Sequence, residues 1–353
     1  MNKFPPPIET ALIGFGFSGR IFHAPFLKAL PQYSLGCVVS SQVQKVNEFL
    51  PETKVEANFD TILKDPNIEL VVIATPNDTH YSLAKAALEV GKNVVIDKPF
   101  TVKSKEAIHL MDIAKCHQKH LTVFHNRRWD GDFLTIKDVI EKGLLGDIYL
   151  YEAHYHRYRP HARPDRWKEG HNVPGSGTLY DLGAHLIDQA LQLFGPPESV
   201  QADVARQRPG SLADDYFHLT FTYGGKRVIL KSSSLVYNPG PRYQIHGTQG
   251  SFLKSGIDPQ EEDLMADKNP LDFDWGVTKA DQDGLLSYDS QQLKISTLPG
   301  NYGAFYTQLA EAIWNNKPAP VLAEDALQVI QLIEKCMDTV LIKKKNIQTG
   351  HFK

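Results

Sequence analysis

Through its first 124 residues the chain carries its apolar residues in short runs: Ile8 to Gly14, Tyr33 to Val39, Leu70 to Ala74, Val94 to Ile96 and Leu121 to Phe124. Runs of this length, rich in β-branched residues and without regular polar alternation, suit parallel strands covered on both faces. Helices are expected between them over Arg20 to Leu30, in a segment ending at Val90, and over Ser104 to Lys115. Asp78 is the expected N-cap of the middle one, and Gly91 its C-terminal stop. Strands alternating with helices predict a doubly wound parallel sheet. Right-handed crossovers turn every strand's carboxyl end to one side, where open α/β sheets keep their ligand crevice.

After Phe124 the pattern changes. A helix is expected over Gly131 to Lys142, a long strand over Ile148 to Tyr158, and a helix over Leu179 to Phe194 closed by Gly195-Pro196-Pro197. Val200 to Arg206, Phe217 to Tyr223, Arg227 to Ser233 and Tyr243 to Gly247 then follow as strands with no helix between them. Such a run makes a mostly antiparallel sheet. Pro259 to Asp283 is polar and acidic and reads as a surface excursion, and helices over Phe305 to Asn315 and Glu324 to Lys343 close the chain. The expectation is an α/β protein with a Rossmann domain over 1–124 and an α+β domain over 125–353.

With 353 residues there is enough chain for two separate cores. A net charge of -3 gives no general attraction to nucleic acid or anionic lipid, and no apolar run reaches the length of a membrane span. The amino end lacks the apolar stretch of a signal peptide. Cys37 and Cys116 lie in apolar strand or helix patterns and read as buried thiols; with Cys336 they show no metal-ligand spacing. No metal and no membrane or nucleic-acid partner is expected, and a reducing cytoplasm suits the chain.

The chemistry begins at Gly14-Phe15-Gly16-Phe17-Ser18-Gly19, a G-x-G-x-x-G between a strand and a helix. Gly14 permits the tight turn, Gly16 lets backbone approach a pyrophosphate, and Gly19 allows close helix–strand packing. Phe17 and Ser18 belong to the same cofactor loop, and the helix start favours phosphate charge. The second strand ends at Ser40-Ser41 instead of the acidic residue usual for NAD, which leaves room for a 2′-phosphate bound by Ser40, Ser41 and Lys45. NADP is therefore preferred over NAD. Val94-Val95-Ile96-Asp97-Lys98-Pro99 sets a carboxylate and an amine at a strand's carboxyl end. Pro99 keeps Lys98 in extended backbone.

The glycine loop, Ala74-Thr75-Pro76-Asn77 with His80, and Asp97-Lys98-Pro99 resemble the Gfo/Idh/MocA family of NAD(P)-dependent oxidoreductases. The resemblance implies that Thr75, Pro76, Asn77, His80, Asp97 and Lys98 border the cofactor, and that Lys98 also meets substrate and serves catalysis. The family's usual wording at the last motif is Glu-Lys-Pro; Asp97 keeps the carboxylate one methylene shorter. It further implies that Asn126 lines the cofactor and Arg128 the substrate, although His125 to Trp129 reads equally as a basic turn before a helix.

Arg159 to Trp167 is dense in Arg, His and aromatic residues, and reads as a loop over the active site. Tyr158 and Trp167 are its candidates to meet the substrate. On the helix after Pro174-Gly175-Ser176-Gly177-Thr178, Asp181 and His185 stand four residues apart, either as a solvated polar face or as a catalytic pair. A carboxylate beside an imidazole orients its tautomer and raises its pKa toward neutrality. Asp-x-x-x-His in this place is the family's second catalytic signature, so Asp181 and His185 are assigned to substrate and catalysis.

His125 to Trp129, Tyr155 to Pro160 and Gly177 to Gly183 look like the bacterial NADP-dependent scyllo-inositol dehydrogenases within that family. A cyclic polyol or sugar is the substrate this implies. The family's second domain also implies a homodimer or homotetramer through an open sheet face. A related enzyme for an aldose, sugar nucleotide or dihydrodiol stays open, as does a non-catalytic sensor of NAD(P) or sugar.

Overall fold

Short apolar strands, each followed by a helix, build the first half. β1 (Ile8–Ile13) leads through a π-helical turn (Gly19–His23) into α1 (Ala24–Ala29). β2 (Tyr33–Val39), α2 (Val43–Phe49), β3 (Lys54–Glu56), α3 (Phe59–Lys64) and β4 (Leu70–Ile73) follow. A 3-10 turn (Asn77–Thr79) then opens α4 (His80–Glu89), before β5 (Asn93–Asp97), α5 (Ser104–Cys116) and β6 (Leu121–Phe124). The computed structural model describes residues 5–163, 169 and 174–349, with side chains described as far as residue 338.

All neighbouring strands of this sheet are parallel, in the order β3-β2-β1-β4-β5-β6. β4 and the apolar part of β5 are buried on both faces, as their unbroken runs require. Three details depart from the sequence reading. α2, β3 and α3 lie in a polar stretch whose period is too short to register. Asp78 sits inside the 3-10 turn, and α4 starts at His80 without a side-chain cap. Thr79 cannot supply one because its hydroxyl already bonds Thr75 Oγ1 (2.6 Å) and the Pro76 carbonyl (2.7 Å). Cys116 is exposed, since the buried stripe of α5 runs through Ala107, Leu110 and Ala114 and misses it. Cys37 and Cys336 are buried.

The rest of the chain comprises α6 (Gly131–Glu141), β7 (Ile148–His154), a π-helical turn (Leu179–Gly183), α7 (Ala184–Phe194), β8 (Ser199–Ala205), β9 (Tyr216–Tyr223) and β10 (Lys226–Ser233). After these come β11 (Tyr243–Gly247), β12 (Ser251–Lys254), α8 (Gln260–Met265), β13 (Gly284–Tyr288), β14 (Gln291–Ile295), α9 (Gly303–Asn315) and α10 (Ala323–Thr349). The eight strands form one sheet, β14-β13-β12-β11-β7-β10-β9-β8, antiparallel except where β10 runs parallel to β7. Its inner face (Tyr151, Phe217, Leu219, Phe221, Val228, Leu230, Tyr243, Ile245, Phe252) packs with Leu186, Ile187 and Ala190 of α7. Alternate positions such as Thr220, Ile229 and Leu253 point the other way and are only partly covered.

Two compact units result, and the boundary is not a single cut after Phe124. The first holds Met1–Asp130, Pro259–Gly276 and Gly300–Leu327; the second holds Gly131–Asp258, Val277–Pro299 and Gln328–Lys353. The chain therefore returns to the first core twice. α9 supplies Phe305, Tyr306 and Leu309 to it, with Phe305 edge-on to Phe124 at 4.8 Å. The acidic stretch after Pro259 is likewise more than a surface excursion, because Gln260, Leu264 and Trp275 are buried in that core. Among the described residues no helix is long and apolar enough to cross a membrane.

Candidate active site

The order of the parallel sheet reverses at β1, whose two neighbours β2 and β4 continue in opposite directions, and ligands bind outside such a switch point. The register sets the strand ends level: Ile13 is opposite both Val39 and Ile73, Ile73 opposite Ile96, and Asp97 opposite Phe124. Ser40, Gly14, Thr75, Lys98 and Asn126 therefore follow one another in strand order along a single rim, on which the sequence places Gly14, Thr75 and Lys98.

The three glycines of the loop are needed for different reasons. Gly14 has a φ of 95°, and a Cβ there would lie 2.7 Å from the Ala74 carbonyl oxygen. A Cβ on Gly19 would lie 2.2 Å from the Gly14 carbonyl oxygen, so the turn closes only on glycine. Nothing comes within 4 Å of a Cβ built on Gly16. Its side of the loop is an open cradle, and the residues present fit a dinucleotide pyrophosphate. Phe17 beside it is half exposed, edge-on to Phe22 at 5.7 Å.

Asp97 holds the rim together. One carboxylate oxygen accepts the Ser18 hydroxyl, and the other accepts the Lys98 backbone N–H at 2.7 Å. The Lys98–Pro99 peptide is cis. Buried His80 spans the next gap, with Nδ1 at 2.9 Å from the Pro99 carbonyl and Nε2 at 3.0 Å from that of Thr75. Burial lowers its pKa, against the pull of nearby Asp97. His23, which the sequence reading passed over, lies in the π-helical turn behind the loop. Its Nδ1 is 2.6 Å from the Tyr306 hydroxyl, and burial brings its pKa down to about 4. Asn77 and Asn126 are buried nearby in the same unit.

At the end of β2, Ser40 Oγ accepts the Gln42 N–H at 3.0 Å, while Ser41 and Lys45 stay exposed. Lys45 donates to Gln42 at 2.9 Å. Beyond β6 the basic turn is built into the first core. Arg127 pairs with Asp130 (3.3 Å) and Glu261 (2.8 Å), and Arg128 pairs with Asp325 at 3.1 Å.

The second unit brings together a different set. Asp181 lies in the π-helical turn and His185 in the second position of α7, so the pair spans a change of helical pitch and not one regular α-helix. π-Turns of this kind mark functional positions more often than chance. Gly177 leads into it with a φ of 94°, and a Cβ there would fall 1.9 Å from Asp214 Oδ1. Asp214 accepts the Leu179 N–H at 2.7 Å on its carboxylate and the Thr178 N–H at 2.9 Å on its carbonyl. Burial pushes its carboxyl up to about 7, although these N–H donors pull the other way. No helical or strand period in the sequence marks Asp214 as the anchor of this helix. His185 is buried, with the Tyr155 ring 6.4 Å away, centre to centre. Tyr158 is half exposed and edge-on to Tyr237 at 4.9 Å. Trp167 lies outside the described residues.

Residues 8–125 match the family described as oxidoreductase family, NAD-binding Rossmann fold, and residues 137–340 match oxidoreductase family, C-terminal alpha/beta domain. The chain belongs to the Gfo/Idh/MocA family and is an NAD(P)-binding oxidoreductase. It is 44% identical over 331 residues to the uncharacterized oxidoreductase YdgJ of Escherichia coli (strain K12), covering 93% of this chain and 94% of the other. It is 41% identical over 348 residues to the scyllo-inositol 2-dehydrogenase (NADP(+)) IolW of Bacillus subtilis (strain 168), covering 98% and 96%. The structure of the oxidoreductase YvaA from Bacillus subtilis superposes with a TM-score of 0.92 at 41% identity, covering 96% of this chain and 97% of that one.

Proposed function

We propose that this chain oxidises a secondary alcohol of a cyclic polyol or sugar, reversibly, with scyllo-inositol as the leading substrate and NADP as the preferred coenzyme. The observation that carries the reading is the rim itself: Lys98 follows a strand end whose carboxylate, Asp97, is tied to the glycine loop through Ser18. A lysine whose backbone is held beside a dinucleotide cradle suits hydride chemistry at a hydroxyl carbon. The nicotinamide, when bound, supplies the hydride acceptor at C4. Lys98 hydrogen-bonds the reacting oxygen and stabilises its developing negative charge. His185 takes the hydroxyl proton and returns it in the reverse direction. Asp181 orients His185 and receives a neighbouring substrate hydroxyl.

The substrate class is supported by the identity of 41% to a scyllo-inositol 2-dehydrogenase across 98% of this chain. NADP(+), the coenzyme of that relative, also suits Ser40 and Ser41 at the end of β2, where Lys45 is exposed toward solvent. Tyr158, Trp167 and Arg128 complete the proposed substrate contacts, with Arg128 acting from its ion pair with Asp325. The partly covered face of the eight-stranded sheet is the proposed contact of a homodimer or homotetramer, and a cytoplasmic location suits three widely spaced cysteines.

Initial rates with NADP⁺ and NAD⁺ against scyllo-inositol, myo-inositol and glucose test the reading. We expect turnover with scyllo-inositol and NADP⁺, reduced by about 10²-fold or more in His185→Ala and in Lys98→Ala. Turnover with another sugar alone discards the substrate and keeps the mechanism. Coenzyme binding without turnover of any of the three overturns the polyol reading and moves the search to other substrates.

A further inference from the structure

Behind His185 the second unit buries a pair of charges that the proposed chemistry does not use. Arg242 and Asp132 are 3% and 1% exposed, with Arg242 Nη1 at 3.5 Å from Asp132 Oδ2. Burying two charges in a core is seldom worth the desolvation, and apolar residues of similar volume usually serve stability as well. A reason other than stability is called for, and the contacts of Arg242 supply it.

The guanidinium lies over the Tyr155 ring, 3.9 Å from its centre, and Nη2 donates to the hydroxyls of Tyr155 and Tyr243. Tyr243 in turn donates to Gln189 Oε1 at 3.0 Å. Gln189 is one turn beyond His185 on α7, and both are buried. Tyr155, whose hydroxyl Arg242 holds, also places its ring 6.4 Å from the His185 ring, at 59°. The contacts thus leave α7 at Gln189, pass through Tyr243, Arg242 and Tyr155, and return to α7 at His185. Asp132, from the first turn of α6, fixes the guanidinium at the centre of that circuit.

We propose that Tyr155 is the positioning residue of His185, and that the Arg242–Asp132 pair holds Tyr155 in place and sets the electrostatic balance behind the imidazole. The proposal rests on His185 being the acid–base group. Tyr155 and Arg242 touch no reacting atom in this account; they act through the histidine.

Several other charged or titratable groups face this array. Lys254 of β12 donates to the Ser255 and Gln282 carbonyls, each at 2.7 Å, and senses Asp132 together with Asp258 and Asp283. His154 and Tyr151 approach from β7, with Lys231 and Glu152 acting on His154, and Tyr243 approaches from β11. Asp181 and Asp188 belong to the helical segment of His185 itself. These groups are unchanged in the variants below, so differences between variants isolate the pair.

The intact pair is neutral overall, so splitting it leaves one charge of known sign. Arg242→Met leaves the Asp132 carboxylate, which favours the imidazolium and raises the midpoint of His185. Asp132→Asn leaves the guanidinium, which lowers it. The double variant returns toward the starting value. Loosened packing alone has no reason to give opposite signs.

The test is an NMR titration of the His185 imidazole in the full-length protein, with the signal assigned by its loss in His185→Gln. Midpoints displaced by about half a unit or more, upward in Arg242→Met and downward in Asp132→Asn, support the proposal. Unchanged midpoints, or shifts of the same sign, overturn it. Should either variant fold too poorly to titrate, Tyr155→Leu keeps both charges of the ion pair and removes the ring together with the hydroxyl that Arg242 holds. It is expected to lower kcat by about tenfold or more while coenzyme KM holds, and an unchanged kcat overturns the positioning role. Failure of the underlying reading looks different: His185→Ala then keeps its turnover, whatever the NMR midpoints do.

Discussion

The Ser18 hydroxyl donates to Asp97, 79 residues further along the chain, and so ties the glycine loop after β1 to the end of β5. The remaining carboxylate oxygen holds the Lys98 N–H at 2.7 Å. One side chain therefore couples the proposed coenzyme cradle to the proposed catalytic lysine.

A hydrogen bond to a charged group contributes about 1.5–3 kcal/mol, so Ser18→Ala is expected to weaken NADPH binding by about tenfold. Asp97→Ala loses both bonds and is expected to cost more in affinity and to lower kcat as well, because Lys98 is released. Fluorescence titration with NADPH reads the first effect, and steady-state rates read the second. Unchanged affinity in Ser18→Ala rules out the coupling.

The glycines separate fold from function. A Cβ on Gly19 meets the Gly14 carbonyl at 2.2 Å, which is backbone and cannot swing aside, whereas one on Gly16 meets nothing within 4 Å. Gly19→Ala is expected to lower Tm by several degrees, in line with about 1–3 kcal/mol for forced overpacking. Gly16→Ala is expected to keep Tm within about a degree and still lose coenzyme affinity by about tenfold, because its methyl occupies the side open to a pyrophosphate. Thermal unfolding and NADPH titration of both variants check the pair. Equal loss of stability in both variants contradicts the division.

These two cases show what the sequence could carry. Strand ends at Gly14, Thr75 and Lys98 are legible because a parallel sheet needs unbroken apolar runs, and right-handed crossovers then fix which ends share a rim. The partner of Asp97 is not legible, since nothing in the local pattern near Ser18 points 79 residues on. The same holds for Trp275 and Gln260, which lie in an acidic stretch that reads as solvated yet fill the first core. Periodicity reports which face of an element is apolar, but not which core receives it. In the second unit the helical period marked Asp181 and His185. It could not show that their helix begins with a π-turn, or that Asp214, Tyr155 and Arg242 arrive from strands and loops far along the chain.

The thiols offer a check on burial that is independent of chemistry at the site. Cys37 and Cys336 are buried, and burial pushes their pKa values up to about 11 and about 12. Both stay protonated and shielded at neutral pH, while Cys116 is exposed at the end of α5. A water-soluble disulfide reagent is therefore expected to modify one thiol per native chain quickly, and the other two only after denaturation. Mass spectrometry of the labelled peptide should identify Cys116. Fast labelling of Cys37 contradicts the packing of β2.

Asp214 gives the last prediction, and its sign follows from the direction of its shift. Burial, which disfavours the charged form, pushes its carboxyl up to about 7 in the fold, against an ordinary aspartate value of 3.8. Between those values the folded chain holds a proton that the unfolded chain has released, so this group favours folding at low pH. Its contribution is complete below 3.8 and is lost as pH rises through about 7. Other carboxylates act oppositely. Asp215 is buried too, yet the Gln207 and Arg208 N–H groups and the Arg208 guanidinium bring its pKa below the ordinary range. The diagnostic quantity is therefore the difference in Tm between wild type and Asp214→Asn, whose amide oxygen still accepts the Leu179 N–H. Wild type is expected to lose several degrees relative to the variant between pH 4 and pH 8, at about 2–4 °C per kcal/mol for units of this size. The loss falls on the start of the helix that carries Asp181 and His185. The protection factor of the Leu179 amide, its exchange rate relative to the unstructured rate at the same pH, should therefore fall over that interval in wild type alone. A Tm difference that stays flat with pH means that the Asp214 carboxyl is ionised throughout, and the helix start then has no titrating anchor.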